Sequence, residues 1–231
     1  VHLAIPQHLN SIFEAHLTEV INRTYPEETF AEISDSIREL LEWCDVLAIG
    51  PGLGRGKSTQ KAIIKILKNI SKPVVIDADA LFALSQFPDT LKKAHQNWIL
   101  TPHHGEFLRL LETGDTAEFS TRYISLARDF ATRHQLTLLL KGTPSLTAAA
   151  DGQVYVNSTG NAGLASGGTG DVLTGFVAGL VAQGLTPEKA AMTANFLHGK
   201  CADELIEKMS PNSLIASDLL QSIGTVIKDY Q

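Results

Sequence analysis

The stretch Asn157–Gly175, N-S-T-G-N-A-G-L-A-S-G-G-T-G-D-V-L-T-G, joins a glycine-rich turn to the start of an apolar helix. Glycine tolerates backbone conformations that direct successive N–H groups toward one point, and Gly167, Gly168 and Gly170 supply that freedom here. The helix that we expect to begin near Thr169 or Gly170 adds the positive end of its dipole. The stretch therefore predicts an anion site, and phosphate is the anion that fits it best.

Asp171 is the titratable group of this stretch, and it lies in the first turn of a helix that should attract negative charge. One interpretation is that Asp171 only caps the helix, although Thr169 could do so without a charge. A carboxylate beside a phosphate is unfavourable unless it takes a proton from a hydroxyl or is bridged by a metal ion. We therefore identify Asp171 as the candidate catalytic base.

The composition excludes several classes of protein. The chain has 231 residues, 44% of them hydrophobic, which suffices for one large α/β domain. Its net charge of −6 and the lack of a Lys/Arg-rich run argue against a nucleic acid or a membrane surface as partner. No signal peptide or membrane-spanning run is visible, and Cys44 and Cys201 lack the spacing of a disulfide framework or a metal site. We therefore expect a cytoplasmic location.

Strand-like and helix-like patterns alternate along most of the chain. Short apolar strands are followed by turns and amphipathic helices at residues 45–49, 73–76, 97–100 and 136–140. This alternation predicts one α/β domain over residues 1–231, with a mostly parallel sheet between two layers of helices. After Gly142 the pattern changes, and we expect an antiparallel hairpin around Asp151-Gly152.

Two motifs follow the first two of these strands. Gly50-Pro51-Gly52-Leu53-Gly54 would let a ligand approach the backbone, but a tight strand-to-helix turn explains it equally well. Its spacing is neither that of a dinucleotide-binding fingerprint nor that of a Walker loop. Asp77 and Asp79 could hold a hydrated magnesium ion or a substrate hydroxyl, while Asp79 could instead cap the next helix. Because ligands collect at the carboxyl ends of parallel strands, we expect both motifs at one cleft.

Two more motifs, T-P-H-H-G-E at residues 101–106 and K-G-T-P-S at residues 141–145, follow the next two strands. Glu106 could cap the helix after it while His103 points into the cleft. Lys141 could meet a nucleotide phosphate, although an exposed lysine at a strand end is common. No Cys or carboxylate near the two histidines has the spacing of zinc ligands, so we assign no metal ligand.

The run G-N-A-G-L-A-S-G-G-T-G-D-V-L-T-G resembles the signature of the ribokinase-like superfamily, and of its NAD(P)H-hydrate dehydratase family in particular. The motifs G-P-G-L-G, D-A-D-A-L, T-P-H-x-G-E, K-G and G-G-T-G-D also occur in the family's order from Val1 onward. The resemblance implies a ribokinase-like three-layer α/β/α sandwich. Family members carry an earlier strand, Gly-rich turn and helix before the point that matches Val1, so we expect this domain to lack that part and its substrate contacts.

The resemblance also implies roles for particular residues. The substrate would contact Gly54, His103 and Asp171, with Asp171 as the base on the acceptor hydroxyl. In the family His104 occupies a variable position, and we expect it to be exposed. The nucleotide would contact Lys141, Gly142, Thr143, Pro144, Ser145, Asn161, Gly167, Gly168, Thr169 and Gly170.

The implied activity is ADP-dependent dehydration of (6S)-NADHX or (6S)-NADPHX, the hydrated forms of NADH and NADPH, by a carbon–oxygen lyase that uses Mg²⁺. His103 favours ADP, because ATP-using eukaryotic relatives tend to have Asn at that position, but ATP stays open. A vitamin-alcohol kinase of the same superfamily and a catalytically silent adenine-nucleotide sensor are alternatives. The resemblance further implies a homo-oligomer and a functional pairing with NAD(P)H-hydrate epimerase.

Overall fold

The structure is a computed structural model that describes residues 1–26, 29–111 and 116–230. Its strands are β1 (His2–Pro6), β2 (Ile21–Tyr25), β3 (Leu47–Ile49), β4 (Val74–Ile76), β5 (Trp98–Leu100), β6 (Thr137–Leu140), β7 (Leu146–Ala148) and β8 (Val154–Val156). Its α-helices are α1 (Asn10–His16), α2 (Asp35–Trp43), α3 (Lys57–Leu67), α4 (Ala78–Gln86), α5 (His104–Leu110), α6 (Thr116–His134), α7 (Thr169–Ala182), α8 (Pro187–Leu205) and α9 (Ala216–Lys228). Short 3-10 helices cover Gln7–Leu9, Pro88–Lys93, Ala162–Ala165 and Pro211–Ser213.

Strands β3 to β8 form one six-stranded sheet in chain order. Strands β3, β4, β5 and β6 are parallel, as the alternation of strands and helices predicts. Strands β7 and β8 then add an antiparallel hairpin, which confirms the prediction around Asp151-Gly152. The sheet is therefore mostly parallel with an antiparallel edge.

Strands β1 and β2 form a separate, parallel two-stranded sheet. The first residues of the sequence have the apolar pattern of a buried strand, but in β1 only Ile5 is buried, and Val1 is 91% exposed. The physical reason is the pairing, because β1 contacts β2 and does not join the six-stranded sheet that holds the core.

The core lies on both faces of the six-stranded sheet. On one face the side chains of Val74, Ile76 and Leu100 pack with those of α3 to α6. On the other face Val75 and Ile99 pack with α7 and α8. These strand residues are 0% exposed, which explains why the parallel strands have continuous apolar sequences rather than alternating ones. The result is a helix–sheet–helix arrangement of three layers.

The parallel register brings the carboxyl ends of four strands to one edge of the sheet. The Asp77 N–H donates to Ile49 O at 3.1 Å, and the Lys141 N–H donates to Pro102 O at 2.8 Å. The four strand-end motifs are therefore neighbours in space. In the residues that the structure describes, no helix is long and apolar enough to cross a membrane.

Candidate active site

Helix α7 begins at Thr169, directly after the glycine-rich turn. Gly168 precedes it with φ of +85°, a left-handed conformation that favours glycine. No backbone N–H of residues 167–171 donates a hydrogen bond to any part of the protein that the structure describes. These free N–H groups lie at the positive end of the helix dipole, an arrangement that can bind an anion.

Lys141 lies beside this helix start. A Cβ placed on Gly170 would be 3.4 Å from Lys141 Nζ. The lysine is held by an ion pair of 2.8 Å with Asp77 Oδ1, and Thr174 Oγ1 of α7 donates to Asp77 Oδ2 at 2.8 Å. Asp77 is 1% exposed, so this carboxylate is buried with both oxygens engaged. Lys141 therefore comes from the end of β6 but adds its positive charge to the start of α7.

Asp171 occupies the first turn of α7 and is exposed to solvent. Partial burial of its carboxyl group raises the pKa of Asp171 above the ordinary value for an aspartate, and the negative charge of Asp77 raises it further. Lys141 acts in the opposite direction. Among the described residues, Asp171 accepts no hydrogen bond from a backbone N–H at the start of α7, so the capping alternative has no support. A carboxylate with a raised pKa is a better proton acceptor, as a general base requires.

Helix α8 supports the turn that leads into the anion site. Its Asp203 accepts hydrogen bonds from the Gly160 N–H at 2.9 Å and from Asn161 Nδ2 at 2.9 Å. Asn161 Oδ1 in turn accepts from the Gly163 N–H at 3.0 Å. The side chain of Asn161, a predicted nucleotide contact, is therefore used to hold the turn.

A second polar cluster joins α8 to the end of β8. Ser145 Oγ donates to Asn195 Oδ1 at 2.8 Å, and Asn157 Nδ2 donates to Asn195 O at 3.1 Å. Thr159 Oγ1 donates to Phe196 O at 2.8 Å. Asn195 is buried, so these bonds satisfy polar groups that would otherwise be costly to bury. They fix the beginning of the glycine-rich stretch and the last residue of the K-G-T-P-S segment.

His198, also on α8, contacts the backbone at the start of α7. Its Nε2 lies 3.0 Å from Thr169 O, an acceptor, so Nε2 carries the proton. Burial lowers the pKa of His198 to about 4, and the imidazole is therefore neutral at neutral pH. Thr169 Oγ1 lies within donating distance of Leu164 O at 2.7 Å and Ser166 O at 2.8 Å rather than capping the helix. Both side chains therefore hold the backbone around the start of α7.

His103 and Glu106 cap α5 reciprocally. His103 Nδ1 accepts from the Gly105 N–H at 3.0 Å, and Glu106 Oε2 accepts from the His103 N–H at 3.0 Å. Glu106 thus caps the helix as predicted, and His103 takes part as well. Because Nδ1 is an acceptor, the His103 proton sits on Nε2, and the His103 side chain is 56% exposed. The Nε2 atom lies 3.6 Å from Glu106 Oε2, which is beyond hydrogen-bond distance.

His104 is half-buried, so the prediction that it is exposed is wrong. Its ring packs against Phe119 and Tyr123, with ring centroids 5.1 and 6.0 Å away. The ring also lies directly on Gly142, where a Cβ would overlap His104 Nε2. Burial lowers the pKa of His104, with a further contribution from His103. The variable position in the motif is thus a packing position beneath the predicted nucleotide segment.

Asp79 does not cap α4, contrary to the simpler interpretation of its position. Its Oδ2 accepts from the Gly54 N–H at 2.9 Å, and its Oδ1 pairs with Arg55 Nε at 2.8 Å. The partners of Asp79 thus follow the neighbouring strand β3 and are not backbone groups at the start of α4. Gly54, a predicted substrate contact, therefore lies at the cleft edge with its N–H already bound.

The structure brings most of the predicted site residues to one edge of the sheet, on four strand ends and the start of α7. Three contributors were missed from the sequence: Thr174, Asp203 and Arg55. The spacing of Asn195, Gly199 and Asp203, at intervals of four on a helix rich in small residues, was the available signal for the supporting face of α8.

Comparison with known proteins identifies relatives along the whole chain. It is 39% identical over 235 residues to the bifunctional NAD(P)H-hydrate repair enzyme Nnr of Moorella thermoacetica, covering 100% of this chain and 44% of that protein. The chain thus spans less than half of that relative. It superimposes with a TM-score of 0.80 on the ADP/ATP-dependent NAD(P)H-hydrate dehydratase of Bacillus subtilis, crystallised with ATP and Mg²⁺, at 29% identity over 100% of this chain and 79% of that one.

Two further comparisons concern the fold and the family. A ribokinase-like superfamily protein from Enterococcus faecalis V583, 24% identical, superimposes with a TM-score of 0.79 over 99% of this chain and 76% of that one, so the fold is ribokinase-like. The family model described as NAD(P)H-hydrate dehydratase matches residues 1–225. The chain therefore belongs to the NAD(P)H-hydrate dehydratase family.

Proposed function

We propose that this chain catalyses the ADP-dependent dehydration of (6S)-NADHX and (6S)-NADPHX to NADH and NADPH, as a carbon–oxygen lyase. The observation that carries the proposal is the position of Asp171, a carboxylate with a raised pKa, beside the free N–H groups of residues 167–170 and the Lys141 ammonium. This arrangement pairs a base with an anion site, which is the pairing that phosphoryl transfer to a hydroxyl requires.

The reaction divides into two steps. Asp171 takes the proton of the hydroxyl on the hydrated nicotinamide ring while that oxygen bonds to the terminal phosphorus of the nucleotide, and the bond from phosphorus to the nucleotide breaks. The N–H groups of residues 167–170 and Lys141 stabilise the charge on the transferred phosphate. The carbon–oxygen bond then breaks, phosphate leaves, and the adjacent ring carbon loses a proton, which restores the double bond of the reduced ring.

The remaining predicted residues have roles consistent with their surroundings. His103 would donate its Nε2–H to the hydrate, and the Gly54 turn would border it. The segment Lys141, Gly142, Thr143, Pro144 and Ser145 and the residues Asn161, Gly167, Gly168, Thr169 and Gly170 would contact the nucleotide. Because the side chains of Ser145, Asn161 and Thr169 are engaged within the protein, their contacts would be made by backbone groups.

Mg²⁺ accompanies ATP in the Bacillus subtilis crystal, and here we expect it to arrive with the nucleotide and to neutralise phosphate charge. Within the described residues, no group of three or more His, Cys, Asp and Glu side chains could hold the ion. Both oxygens of Asp77 also accept hydrogen bonds from the protein. We propose that the nucleotide phosphates and water hold the ion.

We also propose a functional pairing with NAD(P)H-hydrate epimerase. A hydroxyl-bearing ring carbon exists in two configurations, and the proposed substrate is the (6S) form. An enzyme that interconverts the two hydrates would supply the usable one, and the Moorella thermoacetica relative is named as bifunctional.

The test is recovery of reduced-nicotinamide absorbance after the protein and Mg²⁺ are mixed with hydrated NADH or hydrated NADPH. ADP, ATP and no nucleotide are compared, and released phosphate is measured in parallel. We expect recovery and phosphate release with ADP, and neither with the Asp171→Asn variant. Phosphate retained on the product would instead indicate a small-molecule kinase, and nucleotide binding without turnover of any acceptor would indicate a sensor.

A further inference from the structure

Arg55 and Lys141 lie at opposite ends of the sheet edge formed by the carboxyl ends of β3, β4, β5 and β6. It follows the Gly50–Gly54 turn after β3, whereas Lys141 follows β6. Neighbouring strands are about 4.8 Å apart, so the ends of β3 and β6 are separated by roughly 14 Å. The carboxylates of Asp77 and Asp79 and the imidazole of His103 lie on the strand ends between these two cations.

The Arg55 side chain is oriented by two contacts. Its Nε pairs with Asp79 Oδ1 at 2.8 Å, and its guanidinium carbon lies 4.8 Å from the ring centre of Phe82. The other oxygen of Asp79 accepts from the Gly54 N–H, so one carboxylate fixes both the arginine and the turn that carries it. A guanidinium held in one orientation loses less rotamer freedom when it binds an anion.

The terminal nitrogens of Arg55 are left for a ligand. The Arg55 side chain is 53% exposed, and in the described part of the chain its terminal NH₂ groups make no hydrogen bond. Planar NH₂ groups in a fork match two oxygens of a phosphate. The residue therefore has an unused donor pair at the edge of the predicted substrate cleft.

The proposed substrate carries phosphates of its own, and the anion site at the start of α7 does not bind them. A hydrated dinucleotide has its own phosphates some distance from the ring that reacts. The site at α7 and Lys141 is taken by the phosphates of the nucleotide, while Asp171 must face the ring hydroxyl. A second cation is needed on the substrate side, and the structure orients Arg55 there.

We propose that Arg55 binds a phosphate of the hydrated dinucleotide through its two terminal NH₂ groups, and that it thereby sets the affinity for this substrate and not for ADP. The inference rests on the proposed function. It goes beyond it by assigning the phosphorylated half of the substrate to the β3 end of the cleft.

The test compares Arg55→Gln with the unchanged protein in steady-state assays with hydrated NADH and hydrated NADPH. Loss of a charge-assisted, two-pronged contact should raise KM for the hydrate about tenfold to a hundredfold, while KM for ADP changes less than about twofold. Arg38→Gln is the matched control, because Arg38 is also an exposed arginine paired with an aspartate, at 3.6 Å from Asp35. It should leave both constants unchanged.

The two substrates distinguish the phosphate that is bound. A rise in KM confined to hydrated NADPH assigns Arg55 to the phosphate on its ribose, whereas equal rises assign it to the pyrophosphate, and either result supports the proposal. Arg55→Lys retains the charge without the fork and should give an intermediate KM, which guards against a folding defect in the Gln variant. An unchanged KM for both hydrates, or an equal rise in KM for ADP, overturns the proposal.

Equilibrium binding of NADH and NADPH separates this proposal from the proposed function. If the unchanged protein turns over no hydrate, the dehydratase proposal fails, yet weaker reduced-dinucleotide binding by Arg55→Gln than by the unchanged protein would still support phosphate capture by Arg55. Absent binding, or identical binding by the two proteins, overturns it.

Discussion

The two glycine-rich turns of the molecule, residues 50–54 and residues 160–170, rest on different supports. The first is held by Asp79, whose side chain is 17% exposed, through one N–H and one arginine. The second is held from α8 by Asp203, which accepts from Gly160 and Asn161, and by His198, which is buried and donates to Thr169 O. Bonds between buried groups are screened less by water than exposed ones, so the second turn has the firmer support.

This difference matches the chemistry of each turn. In the first turn the Gly54 N–H is already bound, so the turn presents the side chain of Arg55 rather than backbone donors. In the second turn the N–H groups of residues 167–170 make no hydrogen bond to the described protein, and they are the donors that we propose for a phosphate. A glycine-rich sequence therefore does not by itself identify a phosphate site, because what matters is which N–H groups the surrounding structure leaves unbound.

We expect the largest effect from a variant that removes the candidate base, Asp171, next to the second turn. Asp171→Asn keeps the size of the side chain but cannot accept the hydroxyl proton, so kcat should fall about a hundredfold to ten-thousandfold. The equilibrium dissociation constant for ADP should change little, because the N–H groups and Lys141 remain. Near-normal kcat in this variant would show that the second turn binds phosphate without supplying the base.

The next prediction tests the burial of His198, which contacts the second turn. Because the pKa of His198 is lowered to about 4 from an unfolded value of 6.5, the unfolded chain binds a proton between these values and the folded chain does not. The free energy of unfolding should therefore decrease by up to roughly 3 kcal/mol as pH falls from 6.5 to 4. Urea unfolding at several pH values should show a shallower decrease for His198→Gln, which keeps an N–H donor. Equal slopes for the two proteins would contradict the assignment.

A smaller effect tests whether Asp203 positions the second turn. Asp203→Asn replaces one acceptor by an NH₂ group that faces a donor, at a cost of about 1–3 kcal/mol. We expect KM for ADP to rise about tenfold, with a smaller change in kcat and in KM for the hydrate. Glu204→Gln is the control on the same helix, since the partner of Glu204 in the described part of the chain is Lys200, at 3.8 Å. If both variants behave alike, α8 does not act through Asp203.

The smallest effect separates two roles of His103. His103→Ala removes both the imidazole and the helix cap, whereas His103→Asn keeps a capping side chain. KM for the hydrate should rise in both variants, more than KM for ADP does. The free energy of unfolding should drop by about 1 kcal/mol in the Ala variant alone. An unchanged KM in His103→Asn would limit His103 to the cap.

Much of the fold follows from local patterns. Each parallel strand is a short apolar run because both faces of the sheet are covered, and each helix shows its own periodicity, so the order of elements could be predicted. The burial of β1 could not be predicted, because an apolar pattern does not reveal whether a strand pairs with the main sheet. His104 was misjudged because its burial depends on Phe119 and Tyr123, which a motif does not indicate.

The sequence alone thus places the glycine-rich turn, the candidate base at the start of its helix and the motifs at the strand ends, because each is a property of neighbouring residues. Partners that are distant along the chain depend on the folded arrangement. Asp77 and Lys141 are 64 residues apart, Asp77 and Thr174 are 97 apart, and Asn161 and Asp203 are 42 apart. Packing of helices on a sheet brings such groups together, and burial then fixes their charges and pairings.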